Sequence, residues 1–288
     1  MQHPFPHVHG IEHRFVNVNG LNIHVAEAGK GRPVVMLHGW PQHWYLWHYP
    51  IPQLANHYRV ICPDMRGFGW SDAPATGYDK ERLAEDVIGL LDALGLENIR
   101  LVGHDWGGWV GFLVCLRQPT RVRRYLALNT PHPFQRFDSR VTGLWKLWYQ
   151  LVIASPILGK RMLNKPRSFA RHVLRWGVTN KTWSEEELAV FTAQLRDPAR
   201  AYASVLLYRT FILREFLPVI SGRYWSSRLS VPTRVLFGVG DFAISTKYLQ
   251  GYEPYADDMK VEFVSGCGHF IIDEQPELVT ERALEFFE

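Results

Sequence analysis

The sequence predicts an α/β fold: a mostly parallel, eight-stranded sheet flanked by helices and interrupted by a helical insertion. Three observations carry that prediction. Short runs rich in β-branched and aromatic residues alternate with segments of helical apolar spacing. From about Pro133 to about Arg228 the β-rich runs give way to helical ones, and strands resume afterwards. Near the middle, "LVGHDWGGWV" (101–110) has the outline of a strand that turns sharply into a helix and pushes one side chain forward.

From the N-terminus, "RFVNVNGLNIHVAEAG" (14–29) reads as two strands joined at Asn19-Gly20, a dipeptide suited to a two-residue hairpin turn. "VVMLHG" (34–39), "YRVICPD" (58–64), "IRLVGHD" (99–105) and "RRYLALN" (123–129) follow as buried strands. Between the second and third of these, Glu81 to Leu94 has helical spacing and Gly95 stands as its stop. "TRVLFGVGD" (233–241) and "KVEFVSGCGH" (260–269) are two further strands, and Pro276 opens a terminal helix where its missing N–H costs nothing. Inside the insertion, Ser184 to Glu187 form a capping box and Asp197-Pro198 starts another helix. Residues 1–132 and 229–288 are therefore expected to form the core and 133–228 a cap. Such a cap would lie over the carboxyl ends of the strands, where open α/β sheets place their sites.

Composition excludes several classes. With 47% hydrophobic and 21% charged residues the chain is globular, not disordered. Cys62, Cys115 and Cys267 are an odd, widely spaced set that fits neither a disulfide framework nor a zinc site, so a reducing, cytoplasmic setting is expected. No charged leader with an apolar run opens the chain, and its most lipid-like stretch, Leu147 to Gly159, is too short to span a bilayer. His3, His7 and His9 lack companion ligands, no phosphate-binding or dinucleotide glycine loop is present, and neither metal nor organic cofactor is needed. Arg66 and Asp72 are read as holding the loop that contains them. The net charge of +4 conceals 13 Lys or Arg against one acid between Arg117 and Arg175, which leaves −8 for the remainder. That stretch either attracts an anion, such as a lipid headgroup or carboxylated substrate, or is balanced by acids near in space. Nucleic acid is not an expected partner, and the oligomeric state stays open, a homodimer included.

The chemistry concentrates at the turn. Asp105 follows "IRLVGH", and the small Gly103, Gly107 and Gly108 leave room for a strained strand-to-helix corner. The amide of Trp106 supplies half of an oxyanion hole, and Trp40, after His38-Gly39, supplies the other half. Asp241 and His269 follow at separations of 136 and 28 residues, giving the order nucleophile, acid, histidine. A serine must lose a proton as it attacks, which occupies its histidine. A carboxylate, with a reference pKa of about 3.9, is already ionised. Asp105 can thus attack saturated carbon directly and form an alkyl ester. His269 is then free to activate the water that hydrolyses it.

These pieces, "HGWP" (38–41), "DMRGFGWSD" (64–72), "GHDWGG" (103–108), "GVGD" (238–241) and "GCGHF" (266–270), resemble the epoxide hydrolase and haloalkane dehalogenase branch of the α/β-hydrolase superfamily over nearly the whole chain. The resemblance implies nucleophile Asp105, base His269, orienting acid Asp241, oxyanion amides at Trp40 and Trp106, and a cis peptide before Pro41. It also places His38, Pro41 and Trp148 beside the substrate. An epoxide opens to an alkoxide and needs a positioned acid, whereas a halide needs only donors. "WYQLVIASP" (148–156) and "LLYRTF" (206–211) are similar to the proton-donating tyrosine segments of epoxide hydrolases, at Tyr149 and Tyr208, although Leu207 stands where that family has tryptophan. The expected substrate is a small-molecule epoxide, a lipid-derived one included. The alternatives are a haloalkane dehalogenase, using Trp106 and cap tryptophans such as Trp145, Trp176 and Trp183, or a ligand receptor of the same fold. Fluoroacetate-type relatives carry arginine after the nucleophile, and Trp106 departs from that.

Overall fold

The computed structural model describes residues 3–135 and 148–288. Its strands are β1 (Glu12–Val18), β2 (Leu21–Ala28), β3 (Pro33–Leu37), β4 (Arg59–Pro63), β5 (Ile99–His104), β6 (Val122–Leu128), β7 (Thr233–Gly238) and β8 (Met259–Val264). They form one sheet in the order β1-β2-β4-β3-β5-β6-β7-β8. β2 runs antiparallel to both its neighbours, and every pairing from β4 to β8 is parallel. The β1–β2 turn places Asn19 at φ 51° and Gly20 at φ 85°, the left-handed pair that a two-residue hairpin requires.

The first part of the chain adds helices α1 (Pro50–Leu54), α2 (Lys80–Ala93) and α3 (Asp105–Arg117). Between β6 and β7 lie α4 (Trp148–Ala154), α5 (Leu158–Leu163), α6 (Phe169–Trp176), α7 (Glu185–Ala193), α8 (Pro198–Thr210) and α9 (Phe216–Ile220). Helices α10 (Ile271–Glu274) and α11 (Pro276–Phe287) close the chain. The predicted caps are present: Ser184 and Glu187 exchange both bonds of a capping box, and Asp197 caps α8 ahead of Pro198. Among the described residues no strand lies between β6 and β7.

Both faces of the sheet are buried, which is why its strands read as nearly unbroken apolar runs. Val35, Leu37, Leu101 and Phe237 face α2 and α3, while Val34, Met36, Val102 and Leu236 face α1 and α11. Each such side chain contributes roughly 1.5–3 kcal/mol by leaving water. Helix α3 is buried on nearly every side from Trp106 to Cys115, so it is apolar all round rather than striped. Both apolar layers continue into the insertion, one through Tyr149, Ile153 and Tyr208, the other through Leu174, Trp183 and Phe191.

The strand order opens a crevice at the carboxyl end of the sheet. β3 connects to β4 on one side and β5 lies on its other side, so the loops leaving β3 and β5 diverge. Such a reversal is the usual place for a site in an open α/β sheet.

Candidate active site

Asp105 occupies that crevice. It is the first residue of α3, directly after β5, and its φ of 50° lies in the left-handed region that side-chain-bearing residues rarely adopt. Such a conformation costs on the order of 1–3 kcal/mol and persists only where the surroundings impose it. The close approach of α3 to the β3 loop does so. A Cβ at Gly107 would collide with the carbonyl oxygens of Leu37 and His38, and one at Gly39 would collide with the Asp105 side chain.

The two carboxylate oxygens of Asp105 have different surroundings. Oδ2 accepts the backbone N–H of Trp40 at 2.9 Å, and the Trp106 N–H also donates to the carboxylate. Oδ1 lies 3.8 Å from His269 Nε2. The Trp40–Pro41 peptide is cis. Burial pushes the Asp105 pKa up to about 6, restrained by His269 and the two amides. At neutral pH the group is still mostly ionised, although its pKa lies nearer neutrality than the reference value used in reading the sequence.

His269 Nδ1 shares a 2.7 Å hydrogen bond with Asp241 Oδ2. Burial opposes a charge on the ring, but Asp241 and then Asp105 outweigh it and raise its pKa to about 9. Asp241 is itself tightly held. Oδ1 accepts the N–H groups of Ala243 and Ile244 at 2.8 and 2.9 Å, and Oδ2 also accepts Asn129 Nδ2 at 2.9 Å. Burial would raise the Asp241 pKa, but His269 and these donors bring it below the usual carboxylate value. Neither residue ends its strand as expected: β7 stops at Gly238 and β8 at Val264, and glycine-containing turns carry Asp241 and His269 onward.

The insertion brings Tyr149 and Tyr208 to the same place. Both are buried, their ring centroids 6.3 Å apart, and Tyr208 meets Trp40 and Trp106 edge-to-face at 5.4 and 5.5 Å. Burial drives both hydroxyls well above the usual tyrosine pKa, and the Asp105 charge adds to it, so both stay protonated. The indole Nε1 of Trp106 favours the ionised form of Tyr208 slightly but does not reach full hydrogen-bond geometry. Trp40 Nε1 is likewise buried without a partner.

Two expected pocket residues sit elsewhere. Trp148 is 47% exposed and packs on Phe169 and Trp176, because neighbours on a helix point about 100° apart and Tyr149 takes the inward direction. His38 has no ring nitrogen to spare: Nε2 accepts the Met65 N–H at 2.9 Å and Nδ1–H donates to the Gly39 carbonyl at 3.0 Å. It shapes the loop and does not face substrate. Pro41 is buried in that loop. Trp145, and Arg136, Arg140 and Lys146 of the basic stretch, lie outside the described residues. Part of that stretch is balanced locally, with Arg117 on Glu81 and Glu85, Arg121 on Asp92 and Glu97, and Arg171 and Arg175 on Glu185. Arg66 makes a two-pronged bond to Asp86, and Asp72 accepts the Asn22 N–H, so both hold their loop as expected. Among the described residues, no helix is long and apolar enough to cross a membrane and no group of three or more His, Cys, Asp or Glu gathers in metal-binding geometry.

Residues 32–276 match the family described as alpha/beta hydrolase fold. The chain belongs to that family. The soluble epoxide hydrolase of Corynebacterium sp. (strain C12) is 31% identical over 96% of this chain and 97% of its own. A fluoroacetate dehalogenase of Burkholderia sp is 30% identical over 96% and 94%. Among solved structures, epoxide hydrolase CorEH superimposes with a TM-score of 0.83 at 28% identity, covering 96% of this chain and 98% of the other. The protein is thus an epoxide hydrolase-like α/β hydrolase with dehalogenases among its relatives.

Several contributors carry no clear mark in the sequence. Asn129, at φ 41°, bonds both Asp241 and the Gly238 N–H; an asparagine closing an apolar strand was the available signal. His104 Nε2 donates to the His269 carbonyl at 2.9 Å and is kept neutral, chiefly by burial. The insertion touches the histidine loop directly, since the His269 N–H donates to the Gly177 carbonyl. Glu274 accepts the N–H groups of Gly268, Thr179 and Asn180, joining the same two segments. Nothing local in the sequence marks these last contacts.

Proposed function

We propose that the protein hydrolyses epoxides to vicinal diols through an alkyl ester on Asp105. The single observation that carries this reading is the unequal environment of the two Asp105 oxygens, opposite two buried, protonated tyrosines. Oδ1, the oxygen that faces His269, attacks a ring carbon. The C–O bond breaks as Tyr149 and Tyr208 donate to the departing oxygen, and one of them gives up its proton. His269, with Asp241 behind it, then takes a proton from water, and the hydroxide attacks the ester carbonyl carbon. Charge develops on Oδ2, which the Trp40 amide already holds, and the Trp106 amide adds a second donor to the same carboxylate. Collapse releases the diol and restores the carboxylate, and the proton gained by His269 returns to the tyrosinate, so the cycle closes.

Esterification also changes the base. The Asp105 charge helps keep His269 protonated, so its loss on alkylation lowers the histidine pKa when a neutral imidazole is wanted. Residues 133–228 act in this scheme as the cap that supplies the acid groups.

A second reading, dehalogenation, is favoured by one observation: the unpartnered, buried indole N–H groups of Trp40 and Trp106 are donors of the kind a leaving halide needs. One experiment addresses both readings. Single turnover in heavy-oxygen water, run side by side with a terminal epoxide, an epoxy fatty acid and a bromoalkane, should place label in Asp105 with the epoxides. An unlabelled Asp105 would remove the covalent route, and label with the bromoalkane alone would make dehalogenation the function.

A further inference from the structure

Behind the tyrosine side of the site lies a buried ion pair that takes no part in the chemistry of ring opening or ester hydrolysis. Lys80 is the first residue of α2 and only 1% exposed. Its ammonium donates to the Leu207 carbonyl at 2.7 Å, to Glu215 Oε2 at 3.1 Å and to the Tyr78 carbonyl at 3.4 Å, which occupies all three hydrogens. Glu215 returns a second contact, since its Oε1 accepts the Lys80 backbone N–H at 2.8 Å. The ammonium also sits 4.5 Å from the centre of the Trp106 indole and 5.3 Å from that of Phe211.

Each of these partners leads to the reacting groups. Leu207 directly precedes Tyr208. Glu215 ends a π-helical turn, Phe211–Glu215, that interrupts the α8–α9 rod, and such widened turns concentrate at functional sites. Trp106 donates its amide to Asp105 and packs its ring on Tyr208 and Phe211. One cation from the core thereby ties down the backbone beside the acid group and the indole beside the nucleophile. Stability does not account for it, because a buried pair can usually be exchanged for apolar residues of similar volume at little cost. The cation–π contact is one of the stronger kinds when desolvated, enough to hold a ring in place.

We propose that the Lys80–Glu215 pair is a positioning device for ring opening: it fixes Tyr208 and Trp106 against Asp105, and so governs formation of the alkyl ester but not its hydrolysis. The inference rests on the epoxide-opening reading and adds to it the residues that aim its acid. Ester hydrolysis uses His269 and the two amides, and the Trp40 and Trp106 amides are fixed by the close packing of the β3 loop against the α3 corner whether or not Lys80 is present.

The test times the two half-reactions separately on the full-length protein, by rapid quenching with a terminal epoxide and mass analysis of the peptide carrying Asp105. In Lys80→Met/Glu215→Met, which removes both charges together, ester formation should slow by at least about tenfold while breakdown stays within about twofold of wild type. Lys80→Gln/Glu215→Gln, which leaves no unpaired buried charge and retains polar side chains, provides the same comparison should the first variant not fold. Wild-type ester formation in either folded variant, or equal slowing of both steps, would reduce the pair to a structural clamp and overturn the proposal. A wild-type protein that forms no ester on Asp105 would bring down the epoxide reading and this inference together; normal ester kinetics in the variants would bring down this one alone.

Discussion

The two halves of the site are built on different principles. Asp105, Asp241 and His269 each follow the end of a parallel strand by at most five residues and are held by hydrogen bonds to backbone and polar groups, chiefly of neighbouring strand-end loops. Tyr149 and Tyr208 stand on helices between β6 and β7 and are held by ring packing against one another and against Trp40, Trp106 and Phe242. The strand-end half is stiff because the sheet is stiff. The helical half is only as well placed as its side-chain contacts, which explains why an additional buried tether reaches it from α2.

That contrast is open to direct attack, and the strongest blow falls on the stiff half. His269→Gln should slow ester breakdown by about 10³–10⁴-fold, since general base catalysis is lost, and slow ester formation far less, through the loss of the charge that helps keep Asp105 ionised, so a trapped ester should be visible by mass analysis. Tyr149→Phe together with Tyr208→Phe should do the converse: ester formation falls by about 10²–10³-fold and hydrolysis of an ester once formed is unchanged. If the double variant kept full epoxide activity, the helical half would have no chemical part. A milder probe is Asn129→Ala, which removes one bond to Asp241 and leaves the two amide bonds, so turnover should fall by about tenfold with KM little altered.

Acidity separates the halves as well. Ester formation requires ionised Asp105, whose pKa is raised to about 6, so its rate should be full above neutrality and drop about tenfold between pH 7 and pH 5. Ester breakdown requires neutral His269, so it should rise with pH through a midpoint below the value of about 9 that holds while Asp105 is charged. Coincident pH profiles for the two steps would contradict the assignment of separate controlling groups. The smallest effect expected is that of salt. With Arg117, Arg121, Arg171 and Arg175 already paired to acids and surface charge screened by salt, KM for a carboxylated epoxide should change by less than about twofold across ordinary ionic strengths.

Most of the fold was legible because its signals are local. Asn19-Gly20, the Ser184 to Glu187 capping box and Pro276 each specify a backbone conformation within a few residues of themselves, and all three occur where expected. The same holds for Asp105 among its glycines. His38 and Trp148 were misplaced because which way a side chain points depends on the rotation of an element against its neighbours. For His38 the deciding partner is Met65, 27 residues away.

The sequence by itself determined the parallel sheet, the helical insertion, the corner at Asp105 and the order of the three polar residues after the strands. These arise from periodicity and steric exclusion along a short length of chain. Tertiary structure alone decided the remainder: a pKa of about 6 for Asp105, the convergence of Tyr149 with Tyr208, and the reach of Lys80 to Glu215 across 135 residues. Burial and charge act through space, and distance along the chain sets no bound on which groups they bring together.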